Sequence, residues 1–295
     1  NPATTPDIPV PANRPLVGVF WMLVTGACFI GVTALVKYMG PRLPSAEAAF
    51  LRYAMGLVFV LPILRSLLAT PVSKRQWGLF GMRGFFHAGG VILWFYAMTR
   101  IPLAEVTAMN YLNPVYVTIG AALFLGEKLA ARRMVAIGLA LLGALVILRP
   151  GFRVLDSGHI AMLFAAMLFA VSYLLAKKFS GEVSATVVVA MLSITVTIGL
   201  APFAYAVWVP PSLLDLAILF GVACAATVGH LTMTLAFASA PLAVTQPVTF
   251  LQLVWATALG ALVFGEAADI WVMLGGGIII ASVSCIYGIG SVETY

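Results

Sequence analysis

The chain has 295 residues, 62% of them hydrophobic and only 9% charged. Water-soluble domains carry about 25% charged residues, so a soluble fold is excluded and a lipid bilayer is the expected solvent. The net charge of +6 does not point to nucleic acid, because most Lys and Arg residues flank apolar runs, where they anchor and orient a membrane protein.

Residues 1–15, NPATTPDIPVPANRP, are polar and proline-rich, too poor in apolar side chains to fold alone. They lack the apolar core of a signal peptide and are expected to form a disordered cytoplasmic tail. Beyond them the chain reads as membrane spans, each needing about 20 mainly apolar residues to cross a core of about 30 Å. Apolar runs bounded by charge, Pro or Gly predict ten spans, near 16–37, 46–64, 77–99, 103–125, 133–149, 158–178, 184–208, 213–238, 242–264 and 270–290. Spans three and four, and eight and nine, form tight hairpins whose second helices open on Pro102 and Pro241, residues that cost nothing at a first helical position.

With the N-terminus in the cytoplasm, nine basic residues fall in inner segments and five in outer loops. That bias places both termini on the cytoplasmic side of the membrane. Arg52 and Arg83 lie inside spans; Arg52 reads as an anchor near the outer surface, and Arg83 as either an anchor or an anion contact. Cys28, Cys224 and Cys285 each sit in an apolar run, with no spacing for a metal site or a disulfide framework. No cofactor, metal or catalytic group is expected.

The segment PLAEVTAMNYLNPVYVTIGAALFLGE (102–127) returns as PLAVTQPVTFLQLVWATALGALVFGE (241–266), with ten identities and no gap. Chance in so Ala-, Leu- and Val-rich a chain gives about two or three, so the match marks an internal duplication. Gly90 and Ala97 match Gly229 and Ala236 at the same offset of 139; Met22-Leu23, Phe29 and Lys37 match Met162-Leu163, Phe169 and Lys177 at 140. Each copy, 16–149 and 158–290, holds five spans. Five is odd, so the second copy enters from the opposite side. The fold class is therefore an all-α membrane protein of ten transmembrane helices, built as two inverted five-helix repeats around a central cavity.

AAFLRYAMG (48–56), WFYAMTRIPLAEVTAMNYLNPVYVTIGAALFLGEKL (94–129) and LAFASAPLAVTQPVTFLQLVWATALGALVFGE (235–266) resemble EamA repeats of the drug/metabolite transporter superfamily. The resemblance covers essentially 16–290 in two copies. It implies a ten-helix exporter of small organic solutes in a bacterial inner membrane, with amino-acid exporters, aromatic ones included, among its prominent members. Many proton-coupled members rely on an embedded carboxylate. Here every acid lies in a tail or at a span edge, so carboxylate-driven proton exchange is not expected.

Ionisable and polar side chains deep in a membrane are costly and generally face a cavity or a partner. The candidate substrate-binding residues are His87, Trp94, Asn110, Tyr111, Gln246 and Trp255, from spans three, four and nine, with Trp21, Arg83, Tyr173, His230 and Gln252 as further cavity candidates. Amides and imidazole suit the polar end of an amino acid or related solute, and rings suit its side chain; each residue can equally serve helix packing. Glu127 and Glu266 read as helix-end groups, and Gly138, Gly143 and Gly275 to Gly277 as points of close helix contact, within a monomer or between two subunits.

The leading function is an alternating-access exporter of small neutral or zwitterionic metabolites, amino acids foremost, with multidrug, nucleoside or other metabolite export as the alternative. An intramembrane enzyme is disfavoured, because no HExxH, no GxSG-type nucleophile and no embedded acid pair occur. A channel is the remaining outside reading. The partners implied are a small-molecule substrate and the bilayer. The topology predicts that cysteines placed at Thr5 and Ser291 react only with reagent on the cytoplasmic side; external labelling of either rejects it.

Overall fold

The computed structural model describes residues 14–125, 131–152, 154–177, 182–183, 185–240, 245 and 247–290, and among them it is almost entirely helical. Helix α1 (Pro15–Met39) starts on its proline and stops at Gly40, whose φ of +63° closes the helix. Helix α2 (Ser45–Gly56) runs on as a 3-10 stretch through Pro62 into the short α3 (Leu64–Ala69). The second span is thus α-helical only in its first half, since Pro62 lacks the amide that an α-helix needs there. Helix α4 (Lys74–Arg100) is followed by α5 (Leu103–Asn110) and α6 (Asn113–Leu125), then α7 (Ala131–Leu148). The second half contains α8 (Ser157–Lys177), α9 (Ala185–Ala206), α10 (Leu213–Ser239), α11 (Phe250–Phe264) and α12 (Ile270–Gly290). Among the described residues, six helical segments are long and apolar enough to cross a membrane, and 251–264 and 270–285 are shorter apolar helices.

The duplication is visible in local structure. Ser73 and Gln76 form a capping box that starts α4; Ser212 and Asp215, each 139 positions later, form the same box at the start of α10. Both helices have 27 residues. The packing follows the same symmetry. The most extensive helix pairs are α1 with α10, α4 with α8, and α7 with α12. Exchanging the halves turns the first pair into the second and leaves the third unchanged, as a two-fold axis between inverted repeats requires.

Span four departs from the predicted continuous helix. It breaks at Tyr111–Leu112, between α5 and α6, because Pro114 offers no amide to Asn110. Span nine has the corresponding irregularity, a 3-10 turn at Pro247–Thr249 before α11. Tyr111 sits at one break and donates its hydroxyl to the carbonyl of Thr249 at the other, 2.7 Å away.

At the face where α1 ends, polar links join the halves. Glu266 pairs with Lys37 and accepts from the backbone amide of Leu103 at 2.9 Å, while Lys37 donates to the carbonyl of Ile101 at 2.8 Å. Glu266 is a helix-end group as expected, but it caps α5 in the other repeat and not the helix that follows it. Glu127 lies outside the described residues. On the same face Arg42 faces Asp215 at 3.2 Å, Arg149 pairs with Asp269, His159 with Glu105, and Glu47 accepts from Val209 N at 2.9 Å. Glu47, Glu105 and Asp215 are each the third residue of their helix, where the helix dipole favours a carboxylate. On the opposite face the exposed Glu182 accepts from Arg75 and Gln76 at 2.9 and 3.0 Å. These bonds, Arg75 first, hold its carboxyl below the ordinary value of 4.5, so the stabilisation is present above that pH and fades as the carboxyl takes up a proton.

The α7–α12 seam depends on two glycines. A Cβ on Gly143 would lie 2.7 Å from the carbonyl oxygen of Gly275, and one on Gly275 would lie 2.5 Å from that of Gly143. Gly138 has open space around it. Gly143→Leu is therefore expected to force the helices apart, at about 1–3 kcal/mol or more for overpacking, and to lower the detergent melting temperature by several degrees. Gly138→Leu should leave it unchanged. Equal melting of the two variants would show that the seam tolerates separation.

Candidate functional site

A cavity of about 290 Å³ lies at the middle of the bundle, bounded by residues of α1, α2, α4, α5, α6, α8, α10, α11 and α12. Its wall sits near mid-span: Phe29 is the fifteenth of the 25 residues of α1, His87 the fourteenth of the 27 of α4. The volume is close to the lower bound of about 300 Å³ for small-molecule sites, which suits a compact solute better than a lipid.

The lining residues come largely in repeat-related pairs. Phe29 and Phe169, and Thr33 and Tyr173, are 140 positions apart; His87 and Ala226, Val91 and His230, Trp94 and Met233, Asn110 and Thr249, and Asn113 and Gln252 are 139 apart. Both members of every pair line the cavity, so it lies on the axis that exchanges the halves. The chemistry at paired positions has diverged, with imidazole facing alanine and indole facing thioether.

A hydrogen-bonded chain crosses the wall. His87 is bonded through Nδ1 to Ser172 Oγ and through Nε2 to Tyr53 Oη, both at 3.2 Å, and its ring lies 4.8 Å from that of Phe169. The Arg52 guanidinium sits 3.9 Å from the centre of the Tyr53 ring. Three elements, α2, α4 and α8, thus fix one another's polar groups without a carboxylate. His230 meets the Phe29 ring edge-on at 5.2 Å.

Of the residues singled out from sequence, His87, Trp94, Asn110, Tyr111, Tyr173, His230 and Gln252 line the cavity. Asn110, the last residue of α5, is exposed to it. Gln246 lies outside the described residues. Trp255 is not on the wall; it packs against Gly26, where a Cβ would come within 3.2 Å of its ring. Trp21 is also off the wall, beside Phe20 at 5.2 Å, and Arg83 is buried away from it, donating to the carbonyl of Val188 at 3.2 Å. Each belongs to helix packing. Sequence reasoning missed Tyr53, Ser172, Phe29 and Phe169, since hydroxyls and rings in apolar helices look the same whichever way they face. Arg52, expected near the outer surface, instead lines the cavity. Its signal was present: with Arg83, it is one of two basic residues that lie more than a turn from the end of a predicted span.

Taken together, an embedded bundle with a mid-depth cavity on its repeat axis defines a multi-pass membrane transporter. The model of the EamA-like transporter family matches the chain twice, over residues 16–149 and 156–288, and the chain belongs to that family. It is 29% identical over 280 residues to a riboflavin transporter of Rhizobium johnstonii, covering 94% of this chain and 92% of that one. It is 26% identical to an S-adenosylmethionine uptake transporter of Rickettsia conorii, covering 86% of each, and 25% identical to the pseudopaline exporter CntI of Pseudomonas aeruginosa, covering 91% and 94%. A solved structure described only as "Crystal structure of protein" shares the fold with a TM-score of 0.59 at 16% identity, covering 95% of this chain and 98% of that one.

The His87 bridge has an energetic consequence. His87→Ala strips the Tyr53 and Ser172 hydroxyls of this partner, at a cost of about 1–3 kcal/mol for groups left buried and unpaired. The variant should melt several degrees lower, and adding Tyr53→Phe should cost little more. Fully additive losses would mean that the bridge contributes nothing.

Proposed function

We propose that the chain is an alternating-access transporter of a bacterial inner membrane, moving small neutral or zwitterionic organic metabolites that carry an aromatic or heteroaromatic ring. The observation that carries this reading is the composition of the cavity wall: rings from Phe29, Tyr53, Trp94, Tyr111, Phe169 and Tyr173, amides from Asn110, Asn113 and Gln252, and no acidic residue among the described lining. Rings bury a planar solute and amides offer both donors and acceptors to its polar groups. Aromatic amino acids fall within this class. So do larger heteroaromatic metabolites, and the relatives' names, which mention riboflavin, S-adenosylmethionine and pseudopaline, favour the broader class over amino acids alone.

Alternating access follows from the repeats. Two halves of opposite orientation exchange conformations, and a site on their axis is presented first to one side and then to the other. No carboxylate occurs among the described lining residues, which favours facilitated or weakly coupled transport, with a metabolite accumulated inside the cell flowing outward.

Counterflow in proteoliposomes tests the reading directly. Labelled tryptophan and riboflavin are the first probes, and at least one should enter saturably and faster when unlabelled compound is present inside. Asn110→Ala and Gln246→Ala should reduce the rate several-fold at unchanged melting temperature. Flux that neither saturates nor responds to internal substrate would identify a channel and reject the proposal.

A further inference from the structure

We infer that Arg52 is the residue of this cavity that selects charge, and that the transported solute presents a carboxylate, or a comparably anionic oxygen group, to it. This rests on the transport reading above and narrows its substrate class.

Arg52 lies seven residues into α2, about 10 Å along the helix at 1.5 Å per residue. A guanidinium at that depth is costly unless something compensates it. Elsewhere the fold supplies the compensation: Lys37, Arg42, Arg75 and Arg149 each face a carboxylate. Arg52 has no ion pair and no hydrogen bond among the described residues; its neighbour is the Tyr53 ring at 3.9 Å. The ring covers one side of the cation and satisfies none of its five N–H donors. Trp94, on the same cavity wall, has a buried indole nitrogen with no acceptor among the described residues.

The wall therefore holds surplus donors and a fixed positive charge, with no acid among its described residues. An anionic oxygen group supplies what is missing, and the planar fork of a guanidinium binds a carboxylate through two parallel bonds. A cationic solute meets the same charge with no counter-ion. Arg52 is also well placed to act as a rigid reader. Tyr53 beneath it is bonded to His87, and His87 to Ser172, so α4 and α8 hold the ring on which the cation rests. Unlike Phe29 or Asn113, Arg52 has no repeat-related partner on the wall, so α2 adds an asymmetric charge to an otherwise paired surface.

The test uses the full chain in proteoliposomes, with Cys28, Cys224 and Cys285 replaced by Ala and Asn110→Cys as a reporter that is exposed to the cavity. Its modification rate is measured with anionic sulfonatoethyl, cationic trimethylammonioethyl and neutral methyl methanethiosulfonate, each normalised to a free thiol. With Arg52 present the anionic reagent should react at least tenfold faster than the cationic one. Arg52→Gln should remove most of that preference and Arg52→Lys should keep it, while the neutral reagent, reacting equally in all three, shows that the fold is intact. Indole-3-propionate should protect the reporter and tryptamine should not. An unchanged rate ratio in Arg52→Gln, a preference for the cation, or protection by tryptamine equal to or greater than that by the carboxylate would overturn the inference. If even the neutral reagent never reaches the reporter from either side, the transport reading itself fails.

Discussion

Lipid offers no hydrogen bonds, and this one constraint orders the rest of the structure. A span can be broken only where protein satisfies the freed backbone groups. Span four breaks at Tyr111–Leu112, and span nine is irregular at Pro247–Thr249. The two irregularities lie against each other, with Tyr111 donating to the Thr249 carbonyl. Both stretches border the cavity through Asn110, Asn113, Thr249 and Gln252. The prolines that weaken the helices thus also create the polar interior, because backbone bends and amide side chains meet where no lipid reaches.

The same constraint explains where the charges sit. Glu47, Glu105 and Asp215 lie in first turns, and Glu266 reaches the start of α5 from the loop after α11; the helix dipole and the free amides of a helix start share the cost of burial. Glu266 shows the economy of this arrangement. One carboxylate pairs with Lys37, caps α5 and lies so close to Gly260 that a Cβ there would collide with its Oε2. Because Lys37 and α5 belong to one repeat and Glu266 to the other, the bond also ties the halves together. Further ties on that face use Asp215, Asp269, Glu105 and Glu47. On the other face, links between the halves among the described residues include the exposed Arg75–Glu182 pair, and an exposed pair contributes little.

Much of this was legible in the sequence. Hydropathy located the spans, and the offset of 139 residues carried information down to the capping boxes, where Ser73 and Ser212 begin the same helix twice. Depth along a span was also readable, which is why His87, Trp94, Asn110 and Tyr111 proved to line the cavity. Helix rotation was not readable. In a bilayer both the lipid-facing and the core-facing sides of a helix are apolar, so no amphipathic stripe reports which way a ring points. Trp94 and Trp255 both lie well inside predicted spans, yet one lines the cavity and the other packs on Gly26. The breaks in spans two and four were signalled by Pro62 and Pro114, but a proline in a membrane helix is often absorbed without a break, as Pro202 is in α9.

A duplicated scaffold resolves a conflict between motion and recognition. Exchange of two conformations is easiest when the halves are alike, because the packing that opens on one side resembles the packing that closes on the other. Recognition needs the opposite, since a small organic solute generally has no two-fold symmetry of its own. The structure divides the tasks by location. Backbone-level features that set helix starts and crossings are shared between the repeats. The side chains on the axis have drifted apart, so that His87 stands opposite Ala226 and Trp94 opposite Met233. Arg52 and Tyr53, which have no counterparts on the wall, complete the separation by giving a symmetric frame an interior with one charged end.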